Sequence, residues 1–193
     1  MLRSTLRRYL GRYLAALLLA ALAAGPAAAR EAAQEAAQAQ AAQQQAVAFA
    51  ANGRAQGEPL TIEALRALPA TSLDISFLTS RGEERARYTG APLWDILVRR
   101  GLVDTARHHG ELCQVAGVTG RDGYFVVLSL GDIAPELGDR RVLLAYERDG
   151  APLPPEKGIR LIVPGDRRGA RSVVDVVRID VRTLEPDGKE TPP

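Results

Sequence analysis

Short apolar runs separated by glycine and charged residues fill the second half of the chain and predict strands. Residues 142–146 form one run, which ends at Asp149-Gly150, a pair suited to a tight turn. Residues 159–163 form another, and apolar and charged residues alternate through 177–182, which predicts a half-buried strand. Three strands are therefore expected to support one glycine-bearing loop at 165–171.

The preceding part of the chain mixes helix and strand signals. Thr61 is expected to cap a short helix, and residues 73–78 and 85–88 are expected to pair as a hairpin. Pro92 suits the first turn of a second helix, which Gly101 ends. Leu93, Ile96 and Leu97 form one apolar stripe on this helix, and Trp94 is interpreted as an aromatic residue of the core or its rim.

A second hairpin is predicted around an Asp-Gly turn. Its strands are predicted at residues 115–120 and 124–128, and Ser129 is expected to cap a short helix after them. The fold class expected from these elements is α+β, with a mixed sheet and short helices.

The first 29 residues differ in composition from the rest. Four arginines without an acid precede eleven uninterrupted apolar residues at 14–24, and Ala27-Ala28-Ala29 follows. This order is typical of a cleaved secretory signal peptide, which implies a soluble periplasmic protein. An uncleaved anchor and twin-arginine export, suggested by Arg7-Arg8, are the alternatives. Removing four positive charges from the formal net charge of +2 leaves −2, which offers no argument for nucleic-acid binding.

Residues 30–56 are predicted to be an Ala/Gln-rich spacer, a fraying helix or flexible chain as far as about Ala51. The folded domain is expected at 57–184, followed by a flexible tail at 185–193.

The loop after residue 164 carries the candidate chemistry. Its glycines allow close backbone approach, and its guanidinium groups are donors suited to an anion. The candidate ligand-binding residues are Gly165, Asp166, Arg167, Arg168, Gly169 and Arg171. A solvated basic loop is the alternative interpretation.

The turn of the second hairpin supplies further candidates. Tyr124 could offer a stacking surface, Asp122 an acceptor and Arg121 a donor, although an Asp-Gly turn needs Asp122 for its own geometry.

Metal ligands are not expected. His108 and His109 are interpreted as surface residues, since no ligand cluster accompanies them. Cys113 is the single cysteine, so it cannot form an intramolecular disulfide and is interpreted as a small buried hydrophobe.

Three ordered motifs, YTGAPLWDIL, VTGRDGYFVVLSLGDI and GAPLPPEKGIRLIVPGDRRGARSVVDVVRIDV, resemble the sulfite-oxidase-type molybdopterin-binding domain, especially its short exported bacterial members. The resemblance covers roughly residues 58–183. It implies a mixed α+β fold whose loops close over a pterin or molybdopterin.

One departure from that family divides the functional hypotheses. A cysteine thiolate binds the metal in the family's molybdenum enzymes, yet residues 70–88 contain no cysteine, and Cys113 lies elsewhere in the motif order. The favoured hypothesis is therefore a non-catalytic, exported pterin-binding regulator without molybdenum, which signals to the periplasmic domain of an inner-membrane partner. The alternatives are a small molybdopterin-dependent oxidoreductase and a structural relic without a ligand.

Overall fold

A computed structural model describes Arg30, residues 45–104 and residues 106–185. The predicted signal peptide, most of the predicted spacer and all but the first residue of the predicted tail lie outside this part of the chain. No helix among the described residues is long and apolar enough to span a membrane.

Eleven strands and three short α-helices form the described fold. The strands are β1 (Ala46–Ala51), β2 (Arg54–Ala55), β3 (Leu60–Thr61), β4 (Thr71–Thr79), β5 (Gly82–Pro92), β6 (Gln114–Gly120), β7 (Phe125–Ser129), β8 (Leu143–Arg148), β9 (Ala151–Pro152), β10 (Arg160–Ile162) and β11 (Val176–Thr183). The helices are α1 (Ile62–Arg66), α2 (Leu93–Arg99) and α3 (Leu130–Ile133). The expected α+β class with short helices is confirmed.

The strands form two sheets. The six-stranded sheet has the order β2-β1-β11-β6-β7, with β3 paired to β1, and it is mixed because β1 and β11 are parallel. The five-stranded sheet has the order β10-β8-β5-β4, with β9 paired to β8. Buried side chains from both sheets, α1 and α2 form one hydrophobic cluster, and Trp94 packs at its edge. The loop at 165–171 therefore connects a strand of one sheet to a strand of the other.

The strand at Ala46–Ala51 corrects the interpretation of these residues as a fraying helix or flexible chain. It pairs with β11, β2 and β3, and Val47, Phe49 and Ala50 are buried. Its alanines are poor strand formers in isolation, but backbone pairing with the neighbouring strands holds them in a strand regardless of propensity.

Two smaller expectations about helix starts are also corrected. Ser129 precedes α3, but its hydroxyl makes no capping hydrogen bond. Pro92 is the last residue of β5 rather than part of the first turn of α2. The predicted cap of α1 is confirmed, since the Thr61 hydroxyl accepts from Ala64 N at 3.2 Å.

Candidate functional site

The tip of the β4–β5 hairpin lies against the loop at 165–171. Leu78 N donates to the carbonyl of Arg167 at 2.9 Å, and Leu78 forms an isolated β-bridge with Arg168. Gly169 touches the Phe77 ring so closely that an added Cβ would lie 2.5 Å from Phe77 Cε2. Only a residue without a side chain fits this contact.

A groove opens between the hairpin tip and the surrounding loops, and we call it the hairpin groove. One half, of about 290 Å³, includes Phe77, Leu78, Arg168, Gly169 and Ala170. The other half, of about 330 Å³, is strongly cationic, with lining residues that include Arg81, Glu84, Arg148, Lys157 and Arg160. The two halves share Thr79, Ser80 and Arg160. Apolar and charged surfaces thus meet in one concave site.

Arg160 lies where the two halves meet. Its guanidinium is 5.2 Å from the ring centre of Tyr88 and 5.7 Å from that of Phe77. The electron-rich faces of aromatic rings favour a cation at such distances. Its Nη1 donates to Glu84 Oε1 at 3.0 Å and to the Tyr88 hydroxyl at 2.5 Å. Its Nε is buried and has no hydrogen-bond partner among the described residues. A buried donor without an acceptor is rare and marks a position where a ligand could supply one.

Glu84 and Tyr88 are the hydrogen-bond partners of this arginine. Desolvation raises the pKa of Glu84, but the hydrogen bonds from Tyr88 and Arg160 and the charges of Arg160 and Arg148 outweigh it, so that pKa is lowered. Desolvation and the hydrogen bond to Glu84 raise the pKa of Tyr88 to about 12. At neutral pH Glu84 is therefore a carboxylate, and Tyr88 donates to it.

Tyr124 is the sequence-predicted residue that joins the two predicted loops. Its hydroxyl donates to the carbonyl of Ala170 at 2.8 Å, while the residue remains 48% exposed. Asp122 Oδ1 accepts from Tyr124 N at 2.9 Å and so belongs to the turn itself. Arg121 Nε donates to Asp175 Oδ2 at 2.6 Å. The polar side chains of Arg121, Asp122 and Tyr124 therefore all make hydrogen bonds within the protein.

Two of the predicted residues are bound to each other. Arg171 donates to Asp166 through Nε at 2.8 Å and Nη2 at 2.5 Å, and Arg140 Nη1 adds a third bond at 3.1 Å. The hydrogen bond from Arg171, with the charges of both arginines, lowers the pKa of Asp166 despite partial desolvation. Arg171 is therefore occupied in holding the loop.

The remaining predicted residues have different surroundings. Arg168 is exposed and lines the apolar half of the hairpin groove, and Arg167 contributes its carbonyl to Leu78. Gly165 has a φ of +82°, and open space surrounds the position of a Cβ.

The histidines and the cysteine lie outside this arrangement. His108 and His109 are exposed, which confirms their interpretation as surface residues, and the described residues contain no metal-binding group of three or more His, Cys, Asp or Glu. Cys113 is half-buried rather than buried. It precedes β6, whose opposite end leads into the Arg121 turn, and a strand of that length spans about 20 Å.

Sequence reasoning missed Arg160, its partners Glu84 and Tyr88, and the cationic half of the groove. Arg160 interrupts the otherwise apolar run at 159–163, and this is the signal that could have identified it. Glu84 carried no such signal, because its contacts with Arg160 join positions 76 residues apart.

Comparisons with known proteins identify related sequences and folds. A family model described as "Oxidoreductase molybdopterin binding domain" matches residues 58–190. The sulfane dehydrogenase SoxCD from Paracoccus pantotrophus is similar in structure, with a TM-score of 0.57 and 18% sequence identity. That match covers 72% of this chain and 39% of the SoxCD chain, so it supports a shared fold over part of the larger protein. A comparison with curated protein sequences gave no match.

Proposed function

Because this chain belongs to the oxidoreductase molybdopterin-binding domain family, we propose that it binds a pterin of the molybdopterin class in the hairpin groove. A pterin has a flat apolar face and an edge of hydrogen-bond donors and acceptors. Such a ligand needs a largely apolar cleft with a few fixed polar groups. The groove has both, and its halves meet at Arg160.

The unsatisfied Nε of Arg160 is the observation that carries the proposal. An acceptor atom on the ligand, such as a ring carbonyl, would complete the hydrogen bonding of a guanidinium that the protein alone leaves incomplete. In molybdopterin, the phosphate would lie near Arg168, which is exposed at the rim. Arg171 is less suited to this role, because Asp166 already takes its fork of donors.

A thiolate-bound metal does not fit the described residues as well as the organic part of the cofactor does. Arginine and lysine are the main polar residues that line the groove, Glu84 is its single carboxylate, and Cys113 is not among the described residues that line it. We therefore favour a non-catalytic pterin sensor. In this proposal the chain is exported through its amino-terminal segment and signals to the periplasmic domain of an inner-membrane partner.

A small molybdopterin-dependent oxidoreductase is the second candidate, and the family match favours it. Metal analysis of the native protein, joined to fluorescence of the extracted ligand, separates the two candidates. The sensor proposal predicts pterin fluorescence without molybdenum. Stoichiometric molybdenum would favour the oxidoreductase, especially if it were lost in Cys113→Ser.

Calorimetric titration with reduced and oxidised pterins tests ligand binding itself. Arg168→Ala is expected to weaken binding of a phosphorylated pterin by about tenfold or more, because it removes a charged donor. Arg87→Ala, which removes an exposed arginine already paired with Asp74, is the matched control and should bind as the wild type does. Absence of binding by the wild-type protein would overturn the proposal.

A further inference from the structure

Glu84 is the only acidic residue among the described residues that line the hairpin groove. It lies opposite Phe77 across the β4–β5 hairpin, so its side chain belongs to the face that carries the groove. Its side chain is 18% exposed, which leaves it partly accessible from the cationic half. An acid in a groove lined by five basic residues calls for a role beyond neutralising their charge.

The two oxygens of this carboxylate have different surroundings. Oε1 accepts from the Tyr88 hydroxyl and from Arg160 Nη1, and Arg148 Nη1 lies 3.5 Å from it. The described residues offer no donor to Oε2. The donors on Oε1 fix the orientation of the carboxylate before any ligand arrives, and Oε2 is left as an oriented acceptor.

This arrangement matches the donor edge of a pterin. The amino-pyrimidine ring presents an exocyclic amino group beside a ring N–H, and a neighbouring carbonyl accepts hydrogen bonds. A carboxylate beside a guanidinium provides the complementary acceptor and donor. Asp122, the acceptor expected from the sequence, is less suitable because its Oδ1 accepts from Tyr124 N within the turn.

We propose that Glu84 is the specificity-determining residue of the hairpin groove, where its Oε2 accepts a hydrogen bond from the 2-amino edge of the pterin. This inference rests on the proposed function and identifies the part of the ligand that the protein recognises. Tyr88 and Arg148 act as positioning residues, since they hold Glu84 through Oε1. The protein therefore selects amino-substituted pteridines over their dioxo analogues.

A comparison of pterin with lumazine tests the proposal, because lumazine carries a carbonyl in place of the 2-amino group. Affinities for both compounds are measured by calorimetry on protein purified from cells that express the full chain. The wild-type protein is expected to prefer pterin by about tenfold or more, since lumazine would place an acceptor against a fixed carboxylate. Glu84→Gln can donate as well as accept, so its preference is expected to fall to about one.

Glu83→Gln is the control with the same change in net charge. Glu83 is the neighbouring residue on the same strand, and it bonds to Arg85 and Ser76 outside the groove. Its variant should keep the wild-type preference for pterin. The ratio of two affinities in one preparation is insensitive to the fraction of folded protein, so mild destabilisation does not imitate the effect.

Glu84→Asp is the second variant, for use if Glu84→Gln does not fold. It keeps the charge but withdraws the carboxylate, and the preference for pterin should fall severalfold. An unchanged preference in a folded Glu84 variant, or equal affinities in the wild type, would overturn this inference while leaving pterin binding intact. Absence of binding of either compound to the wild type would overturn the proposed function as well.

Discussion

The two faces of the β4–β5 hairpin carry similar residue types in different arrangements. On the outer face, Arg87 forms a bidentate pair with Asp74, the residue opposite it, and their side chains are 62% and 73% exposed. On the inner face, Arg160 and Arg148 both contact the carboxylate of Glu84, and Arg148 Nε also donates to Asp149 Oδ2 at 3.3 Å. The Arg160 side chain is only 14% exposed. The outer charges are neutralised in water, whereas the inner ones are in excess and partly desolvated.

This difference separates arginines that are already neutralised from arginines that are suited to a ligand. An exposed pair contributes little to stability, because water and salt screen it and two long side chains must be ordered. A partly buried cation with incomplete hydrogen bonds is costly unless something else binds to it. Charge pairing and burial therefore separate the candidate site from a surface with nearly the same composition.

Replacement of Arg160 is expected to have the largest effect on both stability and pterin binding. Arg160→Ala removes a guanidinium packed on two aromatic rings and leaves Glu84 short of a partner, so the free energy of unfolding should fall by about 2 to 3 kcal/mol. Pterin binding should weaken by tens-fold to thousands-fold. Urea denaturation and calorimetry measure the two effects. Arg87→Ala should leave both at wild-type values, and equal effects of the two variants would remove the distinction between the faces.

Gly169→Val tests the contact that closes the groove on the inner face. A side chain would enter the Phe77 ring, and overpacking of this kind costs about 1 to 3 kcal/mol. Thermal unfolding measures the loss. Gly165→Ala is the control in the same loop, because open space surrounds its Cβ and only its positive φ is unfavourable, at about 1 kcal/mol. A smaller loss in Gly169→Val than in Gly165→Ala would contradict the contact.

Acid titration of stability distinguishes Glu84 from the exposed carboxylates. Its folded-state pKa is lowered from 4.5, so its contribution is present above that pH and is lost as the pH falls through the folded-state value. The free energy of unfolding should therefore decline below pH 4.5, and less steeply in Glu84→Gln. High salt should suppress any contribution of Asp74 and Glu83 while preserving most of that of Glu84. Identical slopes for the wild type and Glu84→Gln would contradict this prediction.

Tyr124→Phe is expected to have the smallest effect. It removes the hydrogen bond to the Ala170 carbonyl, which solvent can replace because Tyr124 is half exposed, so the loss should be about 0.5 to 1 kcal/mol. Hydrogen exchange at Ala170 and its neighbours should increase. Unchanged exchange there would show that the two loops are not coupled through this bond.

The strand pattern was largely predictable, because alternation and turn chemistry are local. The Asp149-Gly150 turn has positive φ at both residues, as expected, and residues 177–182 form most of β11. Asp180 departs from the alternation, since it is 6% exposed and accepts from Gly53 N at 3.0 Å. That contact joins distant parts of the chain, so the local pattern contains no sign of it.

The candidate site was predictable only in part, for the same reason. Glycines and arginines at 165–171 were recognisable, and the structure brings this loop to Tyr124. Pairing decides which donors remain available, however. Asp166 accepts from both Nε and Nη2 of Arg171, whereas Glu84 accepts from Arg160 Nη1 and leaves its Nε without a partner among the described residues. Ligand binding by the nine predicted residues remains a prediction. The cationic half of the groove became recognisable only in the structure, because its residues are distant in the sequence.

Mapping of ligand contacts by backbone amide chemical shifts tests the central claim most directly. Addition of pterin to isotope-labelled protein is expected to shift the amides of Leu78, Gly169 and Ala170, which line the apolar half of the groove. The amides of Asp74 and Arg87 on the outer face should stay unchanged. Shifts confined to the outer face, or to the Arg121 turn without the hairpin tip, would contradict the assignment of the hairpin groove as the pterin site.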